Sequence, residues 1–449
     1  MSTDSALRYG TLGTQASTAG IESRAGVTMA MLELNWASFE PRPGEVSASY
    51  LATMRSCLRA YQAAGQHVTL GLGLHYPPSW VFSLFGASYV NQHGDVSTEP
   101  DFVFSQAVRS AAARYLSLVA AALPLPDFWA IRLTSGGDGE MLYPPGGTYW
   151  AFSTPALTGT GLAAGMTPNP YPDWRPGQPG LRPDQIDRWV NWYVGGLANV
   201  TTWQMQTLSR LGFTGYYQTV TPGSGTRPGD LAEDEEQNLL DTGTTAVGAV
   251  WDRYYGMLGH RTNVMAYISS VADRSGDDDC GQASDTLTPL TSAEMGSWSA
   301  TRWITRVARE HGLAVGGENP GYGLPDALNG HYTNPSAAGM MASALRQARS
   351  CGFTVFYWAH DVHLWDGTVP FRRYAEEIAK ERGERESGHR HHRPFGKKSS
   401  LTPNGAWYHR PVTRLDDEGE RSDDRPADQA AQRHGRRQRS HAGAVPASR

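Results

Sequence analysis

The feature that most constrains this chain is an alternation of short apolar segments with stretches of helical character. Strands are predicted at 8–13, 27–36, 67–75, 128–135, 215–221, 262–269, 313–317 and 353–359. Helices are predicted between and after them, at 48–64, 104–123, 183–211, 245–258, 293–311, 335–350 and 371–382. Strands that alternate with helices make a parallel sheet with helical crossovers. Eight such units in succession close into a (β/α)8 TIM barrel, an α/β fold with room for long insertions. An open doubly wound sheet is the competing fold. It carries a glycine-rich nucleotide loop after its first strand, and Thr11-Leu12-Gly13-Thr14-Gln15 has no such pattern.

The barrel is assigned to residues 1–385. From 386 to 449 the chain is rich in Arg, His, Asp, Ser and Pro and poor in apolar residues. Such a composition buries too little surface to fold, so a disordered charged tail is expected there. The gap at 141–181, dense in Gly, Pro, Tyr and Trp, exceeds an ordinary connection and reads as a functional loop over the site.

Composition narrows the partners. A net charge of −5 argues against nucleic acid. No stretch approaches the roughly 20 apolar residues of a membrane span, and the first ten residues lack a charged-then-apolar leader pattern. The 14 Trp and 20 Tyr suit stacking on sugar faces, or filling a core. Cys57, Cys280 and Cys351 have no metal-ligand spacing. Cys57 and Cys351 read as buried thiols and Cys280 as exposed in an acidic loop; a disulfide is not deducible. No cofactor is expected, and oligomeric state is open.

Active sites of such barrels lie at the C-terminal ends of the strands. Strand four ends in Asp138-Gly139-Glu140 and strand seven in Glu318-Asn319. Two carboxyl groups facing each other across a barrel mouth are what cleavage of a glycosidic bond needs. One protonates the departing oxygen; the other attacks the anomeric carbon or activates water. Glu140 is the candidate general acid/base and Glu318 the candidate nucleophile. His75 and Asn319 are candidates for sugar hydroxyls, Trp36 and Trp80 for the walls of the mouth or for the core. Tyr143 and Trp150, on the long loop, are candidates for the leaving-group side. Tyr217, Thr219 and Thr221 lie near the end of strand five. Glu33, within strand two, reads as a paired interior residue.

The string LNWASFEPRPG, followed by a helix and LGLGLHYPPSWV, resembles the barrel of beta-galactosidase-type hydrolases of family 42. The likeness covers roughly 8–382. The wider clan of retaining (β/α)8 glycosidases places its acid/base after strand four and its nucleophile after strand seven, on Glu140 and Glu318 here. The resemblance further implies that Trp358 floors the first sugar subsite, that Glu40 is a structural landmark, and that the protein is extracellular. One departure stands out. Where the clan has Asn before its acid/base glutamate, this chain has Gly139. The local string GGDGEMLYPP is similar instead to the motif around the acid of beta-amylases, which share the barrel but invert the anomeric centre. Asp138 then takes over some sugar contact. Three alternatives to a retaining glycosidase stay open: an inverting amylase-like hydrolase, a catalytically silent carbohydrate-binding barrel, and a metal-dependent hydrolase using His360, Asp361 and His363. The last is disfavoured by the lack of an HxH pair near residues 8–15.

Overall fold

A computed structural model describes residues 7–136, 139–240, 243–277, 280, 283–323 and 326–383. Asp138 and the charged tail lie outside the described residues. The frame is a closed parallel barrel of β1 (Arg8–Leu12), β2 (Val27–Glu33), β3 (His67–Gly71), β6 (Ala130–Leu133), β7 (Tyr216–Thr221), β8 (Val264–Ile268), β9 (Ala314–Glu318) and β10 (Val355–Ala359). They pair in that order around the ring, and β10 closes on β1. The fold is therefore a (β/α)8 barrel, with each predicted strand in place. An antiparallel pair that the sequence reading missed, β4 (Ser88–Val90) and β5 (Val96–Pro100), lies outside the ring.

Strand alternation divides the interior into two cores. Met29, Met31, Val220, Met265, Tyr267, Val355, Tyr357 and Ala359 converge from around the ring and fill the barrel. The residues between them, such as Ala266, Ile268, Phe356 and Trp358, point outward and pack under the helices. Side-chain caps start the helices where serines stand in the sequence. Ser47, Ser105 and Ser299 accept from the backbone N–H groups of Tyr50, Val108 and Arg302, satisfying donors that have no partner within the helix.

The strands are shorter than the apolar runs that announce them. The third predicted run extends to His75, but β3 ends at Gly71 because the chain turns at Gly73. There φ is +62°, and a Cβ would lie 2.0 Å from the Leu34 carbonyl oxygen, so only glycine fits. The 245–258 run is broken into Gly243–Ala246 and Trp251–Leu258. Helices at Ala19–Arg24 and Pro228–Glu236 were not foreseen.

The long insertion is a packed unit. Its Phe152 N–H donates to the Val90 carbonyl at the edge of the β4–β5 pair. Its Tyr143 ring stacks on Tyr193 of the helix Pro183–Arg210 at 3.9 Å, and Trp189 stacks on the same tyrosine at 4.9 Å. Stacked aromatics of this kind bury large areas with defined geometry, so the insertion's aromatic richness is spent largely on its own core.

Cys280 and Cys351 form a disulfide with a Cα–Cα separation of 4.9 Å. The sequence reading placed Cys280 in the open and Cys351 as a thiol. Folding instead brings the segment after β8 against the C-terminus of the helix Met340–Ser350, and both cysteines are buried. Cys57 is the free thiol, half-buried.

Candidate active site

Glu318 is the last residue of β9, buried at 9% exposure at the C-terminal end of the barrel. Its Oε2 accepts two hydrogen bonds, from the Tyr267 hydroxyl at 2.7 Å and from an Arg132 guanidinium nitrogen at 3.0 Å. Arg132 comes from β6 and also lies over the Tyr267 ring, 4.6 Å from its centroid. Burial pushes the Glu318 carboxyl above its ordinary range, while Arg132 and the Tyr267 hydrogen bond hold it back. The Arg132 and Glu318 side chains keep 13% and 12% exposure, so the pair faces the barrel mouth instead of being sealed below it.

Glu140 is positioned by a loop that leaves the end of β6 and returns. Its backbone carbonyl accepts from the Ser135 N–H and from the Thr134 and Ser135 hydroxyls. The next residue, Met141, donates its N–H to Val220 of β7. The loop thus re-enters the sheet at its C-terminal rim. The Glu140 carboxylate is half-buried and accepts from the Ser269 hydroxyl at 2.6 Å. Ser269 follows directly on β8, two residues beyond Tyr267. One short stretch of chain thus bonds both carboxylates, Tyr267 to Glu318 and Ser269 to Glu140.

His75 lies beside this loop. A Cβ built on Gly139 would come 3.4 Å from its ring, and the ring packs on Tyr76 at a centroid distance of 3.9 Å. Burial, with the Arg132 charge adding to it, pulls the imidazole down to about 4, so it is neutral at ordinary pH. The barrel mouth therefore brings together His75, Glu140 and Glu318 of the residues expected from sequence.

Other expected residues stand elsewhere. Trp358 is fully buried and makes tilted ring contacts with Tyr332 and Tyr374. It points outward because Tyr357 and Ala359 take the inward positions of β10, so it does not floor the mouth. Asn319 bonds the backbone of Ala359 twice, its Oδ1 accepting from the N–H at 3.0 Å and its Nδ2 donating to the carbonyl at 3.1 Å. Its amide clamps β9 to β10, leaving little for a sugar hydroxyl. Trp36 is fully buried, donates to Glu40 at 2.8 Å and stacks on Tyr115. Trp80 packs edge-on against Trp36 with Arg114 over its ring. Both indoles pack around buried Glu40, which also accepts from Gly44 and Arg114; Trp36 is fully buried and Trp80 half-buried. Tyr143 and Trp150 are buried in the insertion's aromatic core, where the Tyr143 hydroxyl donates to the Tyr193 carbonyl and the Trp150 backbone N–H to the Tyr193 hydroxyl. Thr219 and Thr221 bond to Tyr254 and Tyr255, and the Tyr217 hydroxyl donates to the Met205 carbonyl. Near β10, Asp361 accepts from the Gln15 N–H and His363 pairs with Asp366, so the two side chains are turned to different partners.

Sequence reasoning missed Arg132, Tyr267 and Ser269. A signal was present for the first: an arginine inside the apolar run Ala130–Leu133 is costly unless it meets an acid inside the barrel.

No protein-family profile matches the chain, and no curated protein sequence does. Solved structures do. The catalytic domain of beta-amylase from Paenibacillus polymyxa superposes with a TM-score of 0.53 at 13% identity, covering 84% of this chain and 98% of that one. The polyextremophilic beta-galactosidase from the Antarctic haloarchaeon Halorubrum lacusprofundi superposes with a TM-score of 0.50 at 12% identity, covering 84% of this chain and 58% of that one. The chain thus spans little more than half of that beta-galactosidase. Likeness at such identities establishes the barrel fold. Among the described residues no helix is long and apolar enough to cross a membrane.

Proposed function

We propose that the protein is a glycoside hydrolase, with Glu318 as nucleophile and Glu140 as general acid/base, acting on a beta-galactoside or a similar glycan. The observation that carries this reading is the asymmetry of Glu318. Its Oε2 is held by Arg132 and Tyr267, while Oε1 carries no hydrogen bond among the described residues. An attacking carboxylate needs one oxygen fixed for aim and the other free to form the bond.

In the first step Glu140 gives its proton to the departing glycosidic oxygen as the bond from that oxygen to the anomeric carbon breaks. Glu318 forms the new bond to the anomeric carbon and loses its charge. In the second step Glu140, now a carboxylate, takes a proton from water, whose oxygen displaces Glu318. His75, beside Gly139 and held neutral by burial and the Arg132 charge, offers a hydrogen-bonding ring at the mouth. The reading needs no metal or organic cofactor. A disulfide between Cys280 and Cys351 suits an oxidising, extracellular compartment.

An inverting mechanism is the second reading. The string around Glu140 is similar to that of beta-amylases, and the barrel superposes on a beta-amylase catalytic domain. The deciding experiment is a panel of aryl glycosides of defined sugar and anomer, followed by proton NMR of the first-formed product. Retention supports Glu318 as nucleophile, and inversion assigns it to activating water. Binding of sugar without turnover by any member of the panel makes the barrel a carbohydrate-binding protein.

A further inference from the structure

Across β2, β3 and β6 the strand register sets Glu33 opposite Gly71, and Gly71 opposite Arg132. The middle strand therefore presents no side chain between an acid and a guanidinium. The Glu33 carboxylate occupies that gap. A Cβ on Gly71 would fall 1.8 Å from Glu33 Oε2 and 2.7 Å from Oε1, so no other residue at 71 leaves the acid where it is. Glu33 Oε1 and Arg132 Nε are both buried and both without a hydrogen-bond partner. A terminal nitrogen of the same guanidinium donates to Glu318 Oε2 at 3.0 Å. One buried cation thus neighbours two acids, and only Glu318 is hydrogen-bonded to it.

Resting on the proposed retaining hydrolysis, we infer that Glu33 is a positioning residue that shares Arg132 with Glu318 and keeps that guanidinium compensated while Glu318 is esterified. When Glu318 bonds to the anomeric carbon its negative charge disappears, and Arg132 loses the partner that balances it. A buried cation without a counter-ion is costly. Glu33, one strand beyond the glycine gap, is then the acid left beside Arg132, and loss of the Glu318 charge removes one of the causes that raise its carboxyl, so it ionises more fully as Glu318 is neutralised. In the resting enzyme the same sharing keeps Arg132 from binding Glu318 too tightly, so the nucleophile stays basic. The electrostatics agree in direction. Burial pushes the Glu33 carboxyl up to about 7, Arg132 opposes that rise, and the charge of Glu318 adds to it. Tyr50 and Tyr115 are further titratable groups that feel Glu33.

The test uses the full chain and two independent readouts. The first is carboxyl carbon NMR of glutamate-labelled protein, with Glu33 and Glu318 assigned by loss of their signals in Glu33→Gln and Glu318→Gln. In the wild type each carboxyl signal responds to titration of the other, and Glu33→Gln lowers the Glu318 midpoint by about half a unit or more. Glu33→Asp, which keeps the charge, restores most of it. Independent single-site curves in the wild type overturn the inference, and where Glu33→Gln does not fold the Glu33 signal is assigned by its loss in Glu33→Asp. The second readout is hydrolysis of 2,4-dinitrophenyl beta-galactoside. Its good leaving group makes breakdown of the ester rate-limiting at saturation. Glu33→Gln is expected to lower kcat/KM about tenfold while kcat stays within about twofold, because the attack weakens and the departure of Glu318 does not. Equal losses in both constants indicate a merely structural role and overturn the inference. Coupled titration in a protein that cleaves no glycoside supports the shared cation and sinks the proposed function instead.

Discussion

Tyr267 on β8 and Ser269 just past its end stand two residues apart, and each holds a different carboxylate. The tyrosine hydroxyl donates to Glu318 and the serine hydroxyl to Glu140. The end of β8 and the residue after it therefore tether both acids to one short segment of chain. The two acids come from β9 and from the loop after β6, and neither element alone determines the spacing.

Removing either carboxylate tests the pair. Glu318→Gln is expected to lower kcat/KM on aryl glycosides by about a thousandfold or more. Glu140→Gln costs within the roughly 10²–10⁴ range of general acid–base catalysis on poor leaving groups, and less on activated ones. Full activity in Glu318→Gln would refute the two-carboxylate assignment.

Tyr267→Phe keeps the ring under Arg132 and removes one hydrogen bond to Glu318. Hydrogen bonds to charged groups contribute about 1.5–3 kcal/mol. A ten- to hundredfold loss of kcat/KM is therefore expected, about 1.4 kcal/mol per tenfold. A chemical denaturation curve separates this from a loss of folded protein.

Trp36→Phe removes the indole N–H that meets buried Glu40. An unsatisfied buried acceptor costs about 1–3 kcal/mol, so the thermal midpoint should fall while KM stays unchanged. A raised KM with normal stability would instead return Trp36 to the wall of the mouth.

His75 gives stability a pH dependence of definite sign. Its folded value of about 4 lies below the ordinary value of 6.5. The folded state therefore disfavours the proton, and the His75 contribution is complete above pH 6.5 and is lost as pH falls toward 4. Denaturant midpoints of the wild type and His75→Gln, compared across that window, should converge toward acid pH. A constant difference between them refutes the burial of a neutral imidazole.

The Cys280–Cys351 bridge closes a span of 71 residues. Chain entropy assigns about 4 kcal/mol to a loop of that size. Reduction should lower the thermal midpoint by several degrees, and Cys280→Ser should match the reduced wild type. Identical melting curves with and without reductant would mean that the bridge does not constrain the unfolded chain.

Much of this protein was legible before folding. The eight strands follow from apolar runs that alternate with helical periodicity, and both Glu140 and Glu318 stand out because they end such runs. Period-two alternation even indicates which residues of a strand share a face. It does not say which of the two faces is the barrel interior, because both are buried in this fold. That is why Trp358 looked like the floor of the mouth, while closure gave the inward place to Ala359. Asn319, Trp36 and Tyr143 illustrate a related limit: a polar or aromatic residue near a strand end looks the same whether its partner is a ligand or the protein's own backbone.

What the amino-acid order determined by itself was the repeating unit, its count and the rim on which chemistry has to sit, since these are local properties of propensity and burial. What only the tertiary structure decided was every relationship made by closing the ring: Arg132 against Glu318, Glu33 over Gly71, Cys280 against Cys351. Their partners lie tens to hundreds of residues apart, and contacts of that kind exist only once the barrel fixes strand register.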